Sequence, residues 1–157
     1  MYKEIFVRRY QPKDLESILQ LFYDTVHQIN QKDYSPQQLQ AWAPKNHDKE
    51  RWEALLQKNY VVIVEINQEI VGFGDLNSEC YLEHLFVHKD FQRQKIASTI
   101  VEIIEQRAIR LDMETIYTES SITARPFFER MGYEVLVEQN KLHNGQRFIN
   151  YVMKKNL

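Results

Sequence analysis

Apolar residues recur along the chain at two spacings, and the change between them predicts where helices and strands lie. From position 15 to position 29 they return every three or four residues, which is typical of a helix. The preceding residues, about 4 to 9 (EIFVRR), predict a strand. Ser35, followed by Pro36 and by a glutamine at the third helical position, forms a capping box that predicts a second helix, and Asp48 caps a third.

The rest of the chain is richer in strand patterns. The run from about Tyr60 to Leu76 contains two β-branched stretches broken at Asn67-Gln68, which predicts a hairpin. The next run, CYLEHLFV, predicts another strand, and helically spaced apolar residues follow it from Ile96 to Leu111. Three elements complete the chain: a short strand to about Glu119, a helix around Ala124 to Met131 that ends at Gly132, and a strand pair turned at Asn144-Gly145.

The predicted order of elements is β-ααα-βββ-α-β-α-ββ. Strands that occur in runs and also alternate with helices indicate an α/β protein, α+β by some schemes, with a mixed sheet covered by helices on both faces. The sequence of 157 residues contains no repeat, low-complexity tract or Gly/Pro/Ser-rich linker. We therefore expect a single domain over residues 1–157.

Charge and composition exclude several classes of function. With 20 Lys and Arg against 22 Asp and Glu, the chain has no broad positive field for nucleic acid or an anionic membrane. No apolar stretch approaches the roughly 20 residues of a membrane span, and the N-terminal residues lack a signal-peptide pattern, so we expect a soluble, cytoplasmic protein. Cys80 has no partner for an internal disulfide. His84 and His88 lie on a strand that runs into a loop and not on a helix, so no metal is expected.

A candidate anion site lies where the strand CYLEHLFV passes through HKDFQRQKIAS into the next helix. A helix start presents unpaired backbone N–H groups and the positive end of the helix dipole. Gln92, Arg93, Gln94 and Lys95 add donors and positive charge at the same point, which suits a pyrophosphate. The alternative is a solvated helix start with ordinary surface charges.

The same segment resembles the acyl-CoA loop of the GCN5-related N-acetyltransferase (GNAT) family. That loop has the pattern Gln or Arg, two residues, Gly, one residue, then Gly or Ala, and its fixed positions match Gln92, Lys95 and Ala97. The order of elements also matches the family, so the resemblance covers essentially the whole chain and implies a mostly antiparallel mixed sheet. Within the family, the chain resembles in particular the small bacterial single-domain members that share YSPQQLQAWA and ITARPFFERMGY. The chain also resembles a later signature of the family, which its residues match at Ala124, Phe127, Phe128, Gly132 and Tyr133.

This resemblance implies an acyltransferase that uses acetyl-CoA as its acyl donor and acetylates a primary amine of a small molecule. The family would bind the pantetheine arm through backbone groups of Phe86 and Val87, and the thioester oxygen through a main-chain N–H near Leu85. We expect a monomer or a homodimer. The full set of expected acetyl-CoA contacts is Leu85, Phe86, Val87, Gln92, Arg93, Gln94, Lys95, Ile96, Ala97, Ser98, Phe127 and Phe128.

Two residues depart from the family pattern. Lys95 replaces the first glycine of the loop, so binding is expected to weaken if that position needs a positive φ, and to survive if its dihedrals are helical. Phe128 stands where many members have the tyrosine that protonates the departing thiolate. Because Phe cannot donate a proton, another group or water must do so, or turnover is slower.

Strand alternation predicts which side chains of CYLEHLFV share a face. Tyr81, Glu83, Leu85 and Val87 are expected on one face, with Leu82, His84 and Phe86 on the other. A carboxylate on such an apolar face has a raised pKa, which suits a general base. The resemblance implies that a base projects from the positions of Tyr81 and Glu83, whereas the alternative is a Glu paired with a cross-strand Lys or Arg.

The mechanism implied is direct transfer, with Glu83 acting alone or through a water. Cys80 is the only thiol nucleophile in the sequence and is expected on the face opposite Glu83, so a covalent enzyme intermediate is not expected. The early helices would select the amine in this family. The candidates there are Asp24, His27, Tyr34 and Trp42. The helical spacing of Trp42 from Leu39 favours a core position for it, and a solvated polar face explains Asp24 and His27 as well as a substrate clamp does.

Two other functions remain open at this level. A protein or peptide N-terminus can be the acceptor, and an elongated acidic groove would favour it. Lys95 and Phe128 favour instead a weakly active regulator that binds acyl-CoA.

Overall fold

A computed structural model describes residues 4–157, and its helices and strands follow the predicted order. Three short 3-10 turns, Pro12–Asp14, Asn30–Lys32 and Lys89–Phe91, lie between the longer elements. The longer elements are β1 (Ile5–Arg9), α1 (Leu15–Ile29), α2 (Pro36–Trp42), α3 (Lys49–Lys58), β2 (Tyr60–Ile66), β3 (Glu69–Leu76), β4 (Tyr81–Val87), α4 (Ile96–Arg110), β5 (Thr115–Ser121), α5 (Arg125–Arg130), β6 (Glu134–His143) and β7 (Gln146–Asn156).

Within residues 4–157 the strands form one seven-stranded sheet in the order β1-β2-β3-β4-β5-β7-β6. Neighbouring strands are antiparallel except β4 and β5, which are parallel. This confirms the expected mixed, mostly antiparallel sheet. The parallel pairing is short, with Tyr81 opposite Tyr117 and Leu82 opposite Thr118, and beyond these pairs the two strands separate.

Helices cover both faces of the sheet, as expected. Helix α4 packs on one face, where Val62, Val64 and Ile104 belong to the same buried cluster. Helices α1, α2 and α3 pack on the other face, where Val61 and Ile63 are buried. Successive residues of β2 thus point alternately to the two cores, because side chains of a strand alternate between its faces.

Two glycines of β3 bring α4 close to the sheet. A Cβ at Gly72 would lie 2.8 Å from Cγ2 of Ile96, and a Cβ at Gly74 would lie 2.7 Å from Cγ2 of Ile100. Both contacts are shorter than side chains tolerate, so α4 can adopt this position only because the strand has no side chains there. The close approach sets the first turn of α4 beside the end of β4.

The helix starts confirm the capping prediction. The hydroxyl of Ser35 accepts a hydrogen bond from the Gln38 N–H at 3.1 Å, and the Gln38 side chain accepts one from the Ser35 N–H at 2.8 Å. Asp48 caps α3 by accepting from the Arg51 N–H at 3.2 Å. Across the described residues, no helix is both long and apolar enough to cross a membrane.

Candidate active site

A cleft of about 1610 Å³ runs along β4. At one end its lining comes from the segment 92–98 at the start of α4, and we call this the α4 end. At the other end aromatic residues of α1, α2, α3 and β7 form the walls, and we call this the aromatic end. Glu83 and His84 also line the cleft, and His84 packs against Trp52 of the aromatic end. One extended ligand can therefore reach from the start of a helix to ionisable side chains.

The α4 end contains backbone in a conformation that side chains disfavour. Lys95, the N-cap of α4, has φ 64° and ψ 14°, in the left-handed region, and Arg93 has φ 59°. The left-handed conformation costs roughly 1–2 kcal/mol for a residue with a Cβ. Of the two possibilities open at Lys95, the structure has the positive φ, which is the one that predicts weaker acetyl-CoA binding than a glycine would allow.

The first turn of α4 supplies N–H groups that have no acceptor within the helix. The carbonyl of Lys95 accepts hydrogen bonds from the hydroxyls of Ser98 at 3.1 Å and Thr99 at 2.7 Å. These bonds fix the first turn without using its N–H groups. Arg93 and Lys95 are exposed and line the cleft, so the α4 end combines backbone donors with positive charge.

The side chain of Gln92 holds the loop between β4 and α4 in place. Its side-chain amide donates to the carbonyl of Val87 at 2.6 Å and, more weakly, to that of His88 at 3.4 Å. Thr25 of α1 donates to the same Val87 carbonyl at 3.3 Å. Gln92 therefore ties the loop to the end of β4, and its amide is not a free donor.

The separation of β4 from β5 leaves main-chain groups facing the cleft. The His88 N–H donates to the Val71 carbonyl at 2.7 Å, and in an antiparallel pair alternate residues direct their N–H groups to the same neighbour. The N–H of Leu85 therefore points away from β3, toward the side of β5. Because the β4–β5 pairing ends at Leu82, this N–H faces the gap between the strands.

The predicted alternation along β4 is wrong at Glu83. The β3–β4 register pairs Leu76 with Leu82 and Asp75 with His84, so Glu83 is an extra, bulged residue. Leu82 consequently lies in the α4 core, whereas His84 packs against Trp52 on the other face. Glu83 is exposed and does not lie on an apolar face.

Two asparagine amides hold the Glu83 carboxylate. Asn59, buried at the end of α3, donates to Oε2 at 2.7 Å, and Asn77, just after β3, donates to Oε1 at 2.8 Å. Among residues 4–157, the side-chain partners of Glu83 are thus asparagines and not the cross-strand Lys or Arg considered from the sequence. Both amides donate to it, which orients its carboxylate beside the cleft.

A buried Asp–His pair lies next to Glu83. Asp75 is fully buried, and its Oδ1 and Oδ2 both lie 3.0 Å from Nδ1 of His84. The same carboxylate accepts the His84 backbone N–H at 2.7 Å and the Asn59 amide at 3.1 Å. Partial burial lowers the pKa of His84, but the Asp75 charge and hydrogen bond outweigh it and raise the pKa above its ordinary value.

We call Asn59, Asp75, Asn77, Glu83 and His84 the carboxylate cluster. Ionisable atoms of Asp75, Glu83 and His84 lie within 4.8 Å of one another, a spacing that a metal ion can bridge. The carboxylate oxygens already accept hydrogen bonds from His84 and the two asparagines. The arrangement is therefore a hydrogen-bonded acid–base network.

Rings line the aromatic end of the cleft. Phe22 packs against Trp52 at 4.9 Å and against Phe86 at 5.1 Å between ring centroids. Trp42 packs against Tyr34 at 5.5 Å, so it contributes to the core and to the cleft wall together. Both alternatives considered for Trp42 thus describe part of its environment.

The hydroxyl of Tyr34 has a structural role. It donates to the Ile149 carbonyl at 2.8 Å and accepts from the Ile122 N–H at 2.9 Å. The ring lines the cleft. The hydroxyl links Ile122, the residue after β5, to Ile149 of β7, so its proton is not available to a ligand.

Two of the residues expected to select the amine lie away from this cleft. Asp24 accepts a hydrogen bond from the Gln20 amide at 2.9 Å, and Nε2 of His27 lies 2.8 Å from the Ala43 carbonyl. Neither is among the described residues that line the cleft. The structure brings Tyr34 and Trp42, but not Asp24 and His27, into the wall.

Three further residues named from the sequence also lie outside the described lining. Tyr81 stacks against Tyr117 at 5.6 Å, and Cys80 sits in the turn that precedes β4 with φ 66°. Gln94, in the loop before α4, does not line the cleft either. The remaining expected acetyl-CoA contacts all line it.

Phe128 fills the core beside the α4 end. It is 3% exposed and packs edge-on against Phe127 at 5.3 Å and Tyr133 at 5.2 Å. Both phenylalanines line the cleft. A proton for a leaving group must therefore come from elsewhere.

Asp75, Asn59 and Asn77 were missed by the sequence reasoning. One signal was available for Asp75, which is the single charged residue in the apolar run 70–76. A carboxylate buried in a strand requires a partner. Nothing in the local sequence of Asn59 or Asn77 indicated that both amides meet at Glu83.

Comparison with known proteins identifies the family to which this fold and cleft belong. Residues 30–155 match the family described as acetyltransferase (GNAT) domain. The chain is 35% identical over 150 residues to a relative described as the uncharacterized N-acetyltransferase YafP of Escherichia coli (strain K12). The matched region covers 96% of this chain and 95% of the relative. The chain belongs to the GNAT acetyltransferase family, and it is an acetyl-CoA-dependent acyltransferase.

Solved structures of the family have the same fold. A crystal structure from Rhodopseudomonas palustris described as a GCN5-related N-acetyltransferase (aminotransferase, class II) is 26% identical, with a TM-score of 0.94 over 100% of this chain and 99% of that one. The PaiA N-acetyltransferase of Thermoplasma acidophilum, in complex with coenzyme A, is 14% identical, with a TM-score of 0.81 over 98% and 99% of the two chains. The latter similarity concerns the fold alone.

Proposed function

We propose that this enzyme transfers the acetyl group of acetyl-CoA directly to a primary amine of a small molecule, with Glu83 as the general base. The observation that carries the proposal is the continuous cleft that joins the start of α4 to the carboxylate cluster. A bisubstrate reaction needs such an arrangement, because the acyl donor and the amine must meet at one point.

The α4 end has the groups that a pyrophosphate requires. N–H groups of the first turn of α4, with Arg93 and Lys95 beside them, favour phosphate oxygens. The N–H of Leu85, facing the gap between β4 and β5, is a donor for the thioester oxygen. The fold neighbour from Thermoplasma acidophilum was crystallised in complex with coenzyme A, which also supports this proposal.

Glu83 has the position of a base. Its carboxylate is exposed to the cleft and oriented by Asn59 and Asn77. Acetyl-CoA supplies the acetyl group as an activated thioester. Glu83, alone or through a water, takes a proton from the substrate ammonium so that the nitrogen lone pair can attack. Tyr81, which stacks on Tyr117 outside the described lining, has no part in this proposal.

The lining favours a small amine over a cationic peptide. Rings of Phe22, Trp42 and Trp52 offer an apolar wall for the body of the amine. An acidic groove would support a basic protein or peptide acceptor, but the charged residues that line the cleft are mostly basic. They are Lys32, Arg51, Arg93, Lys95, Arg130 and Lys141, against Asp48, Glu83 and Glu119.

Calorimetric titration of the purified protein with acetyl-CoA tests the α4 end first. We expect binding at micromolar or tighter affinity, and product analysis by mass spectrometry with a panel of small amines should then detect acetylated products. Glu83→Gln should bind acetyl-CoA like wild type but lose turnover by roughly 10²-fold or more. Normal turnover in that variant would reject Glu83 as the base. Binding without acetylation of any amine, peptide or protein would favour the regulator.

A further inference from the structure

We propose that His84, held by the buried Asp75, is the general acid that donates a proton to the departing thiolate. This inference rests on the proposed function and assigns the proton donor that Phe128 cannot supply. It gives the two neighbouring residues of the β4 bulge opposite tasks, Glu83 as base and His84 as acid.

The cleft offers few other proton donors. Phe128 has no exchangeable proton. Tyr34 is the one tyrosine among the described residues that line the cleft, and its hydroxyl proton is committed to the Ile149 carbonyl. As residue types, lysine and arginine are poor general acids near neutral pH, because their ordinary pKa values lie far above it. Three histidines line the described cleft: His47, His84 and His143. Burial lowers the pKa of His47, and His143 lies beside Asn144 and Phe148, whereas His84 is the one of the three that is held by a buried carboxylate.

Asp75 fixes both the tautomer and the direction of the ring. Nδ1 of His84 lies 3.0 Å from both carboxylate oxygens, so Nδ1 carries a proton toward Asp75. Nε2 is the remaining ring nitrogen, and the His84 residue lines the cleft. Asp75 cannot swing away, because it also accepts the His84 backbone N–H and the Asn59 amide. Trp52 packs against the ring at 4.8 Å and limits its rotation.

The distance to Glu83 suits a shared reacting centre. One carboxylate oxygen of Glu83 and one ring nitrogen of His84 lie within 4.8 Å of each other. The attacking nitrogen and the departing sulfur are both bonded to the same carbonyl carbon, so an acid and a base that serve them must lie a few ångströms apart. The β4 bulge accounts for this arrangement, because Glu83 and His84 are consecutive in the strand and yet both line the cleft.

The charges around the ring favour the imidazolium. Asp75 of β3 and Glu83 of β4 are the acidic groups that act on it, and Arg51 of α3 is the basic one. Burial lowers the pKa of His84, but the two carboxylates outweigh burial and Arg51, so the net shift is upward. The proton therefore stays on the ring to a higher pH than on an ordinary histidine.

The proton balance of the reaction is complete with these two residues. Glu83 takes one proton from the ammonium and releases it to solvent. The nitrogen lone pair forms the C–N bond, the C–S bond breaks with its electron pair going to sulfur, and His84 Nε2–H protonates that sulfur. The second proton lost by the nitrogen returns to His84, so the products are the amide, the free thiol of coenzyme A and one proton in solution.

A change of leaving group tests this assignment. A selenolate is a weaker base than a thiolate and departs without protonation, so the selenoester analogue of acetyl-CoA does not need a general acid. With acetyl-CoA, His84→Gln should lower the single-turnover rate by roughly 10²-fold or more. With the selenoester the same variant should keep a rate close to wild type. His88→Gln, which removes a histidine outside the described lining, is the matched control and should resemble wild type with both donors.

Wild-type protein provides a second test that does not depend on a variant folding. With acetyl-CoA the rate should fall as the pH rises through the raised pKa of His84, and with the selenoester this fall should disappear. A His84→Gln defect of equal size with both donors would overturn the assignment and indicate a structural role or a base. Loss of wild-type activity on chelation, with recovery on adding Zn²⁺, would overturn it in favour of a metal site. If wild type transfers acetyl from neither donor, it is the proposed function that fails.

Discussion

The α4 end of the cleft comes from one continuous segment, residues 92–98, whereas the carboxylate cluster is assembled from three separate parts of the chain. Asn59 ends α3, Asp75 and Asn77 lie at the end of β3, and Glu83 and His84 lie in β4. The α4 end works largely through backbone groups and tolerates changes of side chain. The cluster works through side chains that orient one another.

This difference predicts how each region responds to mutation. A residue of the α4 end can be replaced, as Lys95 replaces the family's glycine, at the expense of some local strain. A residue of the cluster has several partners, so its loss leaves buried polar groups unpaired. The cluster should therefore be the more sensitive of the two regions.

The largest effect is expected from Asp75→Asn. Asp75 is fully buried and accepts hydrogen bonds from His84 and Asn59, so the substitution should lower the free energy of unfolding by about 3–5 kcal/mol. Urea denaturation measures the difference. Glu119→Gln, which breaks an exposed ion pair with Lys141, is the control and should change stability by less than about 1 kcal/mol. Equal effects of the two substitutions would mean that the cluster is not specially sensitive.

A smaller effect is expected from adding a methyl group at the two glycines of β3. Gly72→Ala and Gly74→Ala should each cost about 1–3 kcal/mol, because the new Cβ overlaps α4. Their functional effects should differ. At Gly72 the Cβ meets Ile96, the first residue of α4, so acetyl-CoA affinity should fall. At Gly74 the Cβ meets the His84 carbonyl at 3.0 Å, so turnover should fall more than affinity.

Calorimetry and steady-state kinetics on the same preparations of the two variants separate these outcomes. If both variants lose acetyl-CoA affinity to the same degree, then α4 moves as a whole and the two regions are not independent.

Lys95→Gly should have a still smaller effect, in the stabilising direction. Removing the Cβ at φ 64° relieves strain, so stability should rise by about 1 kcal/mol or less. Lys95→Ala keeps the strain and removes the same charge, which makes it the matched control. Acetyl-CoA should bind Lys95→Gly more tightly than Lys95→Ala. Identical affinities would show that the charge, and not the backbone conformation, matters at this position.

The smallest effect is expected from the titration of His84, which should make the stability of the protein depend on pH. Because its pKa is raised in the folded protein, the proton on His84 stabilises the fold. That contribution is fully present below the ordinary histidine pKa of 6.5 and is lost as the pH rises through the folded-state value. The stability of wild type relative to His84→Gln should therefore decrease with rising pH. Thermal unfolding across this range measures it, and a constant difference would contradict the Asp75–His84 coupling.

Much of the fold was predictable because its signals are local. The capping box at Ser35, the cap at Asp48 and the break at Asn67-Gln68 each concern a few adjacent residues, and all occur in the structure. The resemblance of residues 92–98 to the acyl-CoA loop of the family was recognisable for the same reason. The alternation along β4 failed at Glu83 because a bulge depends on the pairing with β3, which the sequence of β4 alone does not contain.

The sequence by itself determined the order of the elements, the family and the position of the α4 end, since each rests on residues that are neighbours in the chain. Only the tertiary structure decided that Asp75 faces His84, that Asn59 and Asn77 converge on Glu83, and that Asp24 and His27 lie outside the cleft lining. Those contacts depend on the register of two strands and on how the helices pack on the sheet. Hydrophobic periodicity specifies which face is buried, but not which polar side chains meet across it.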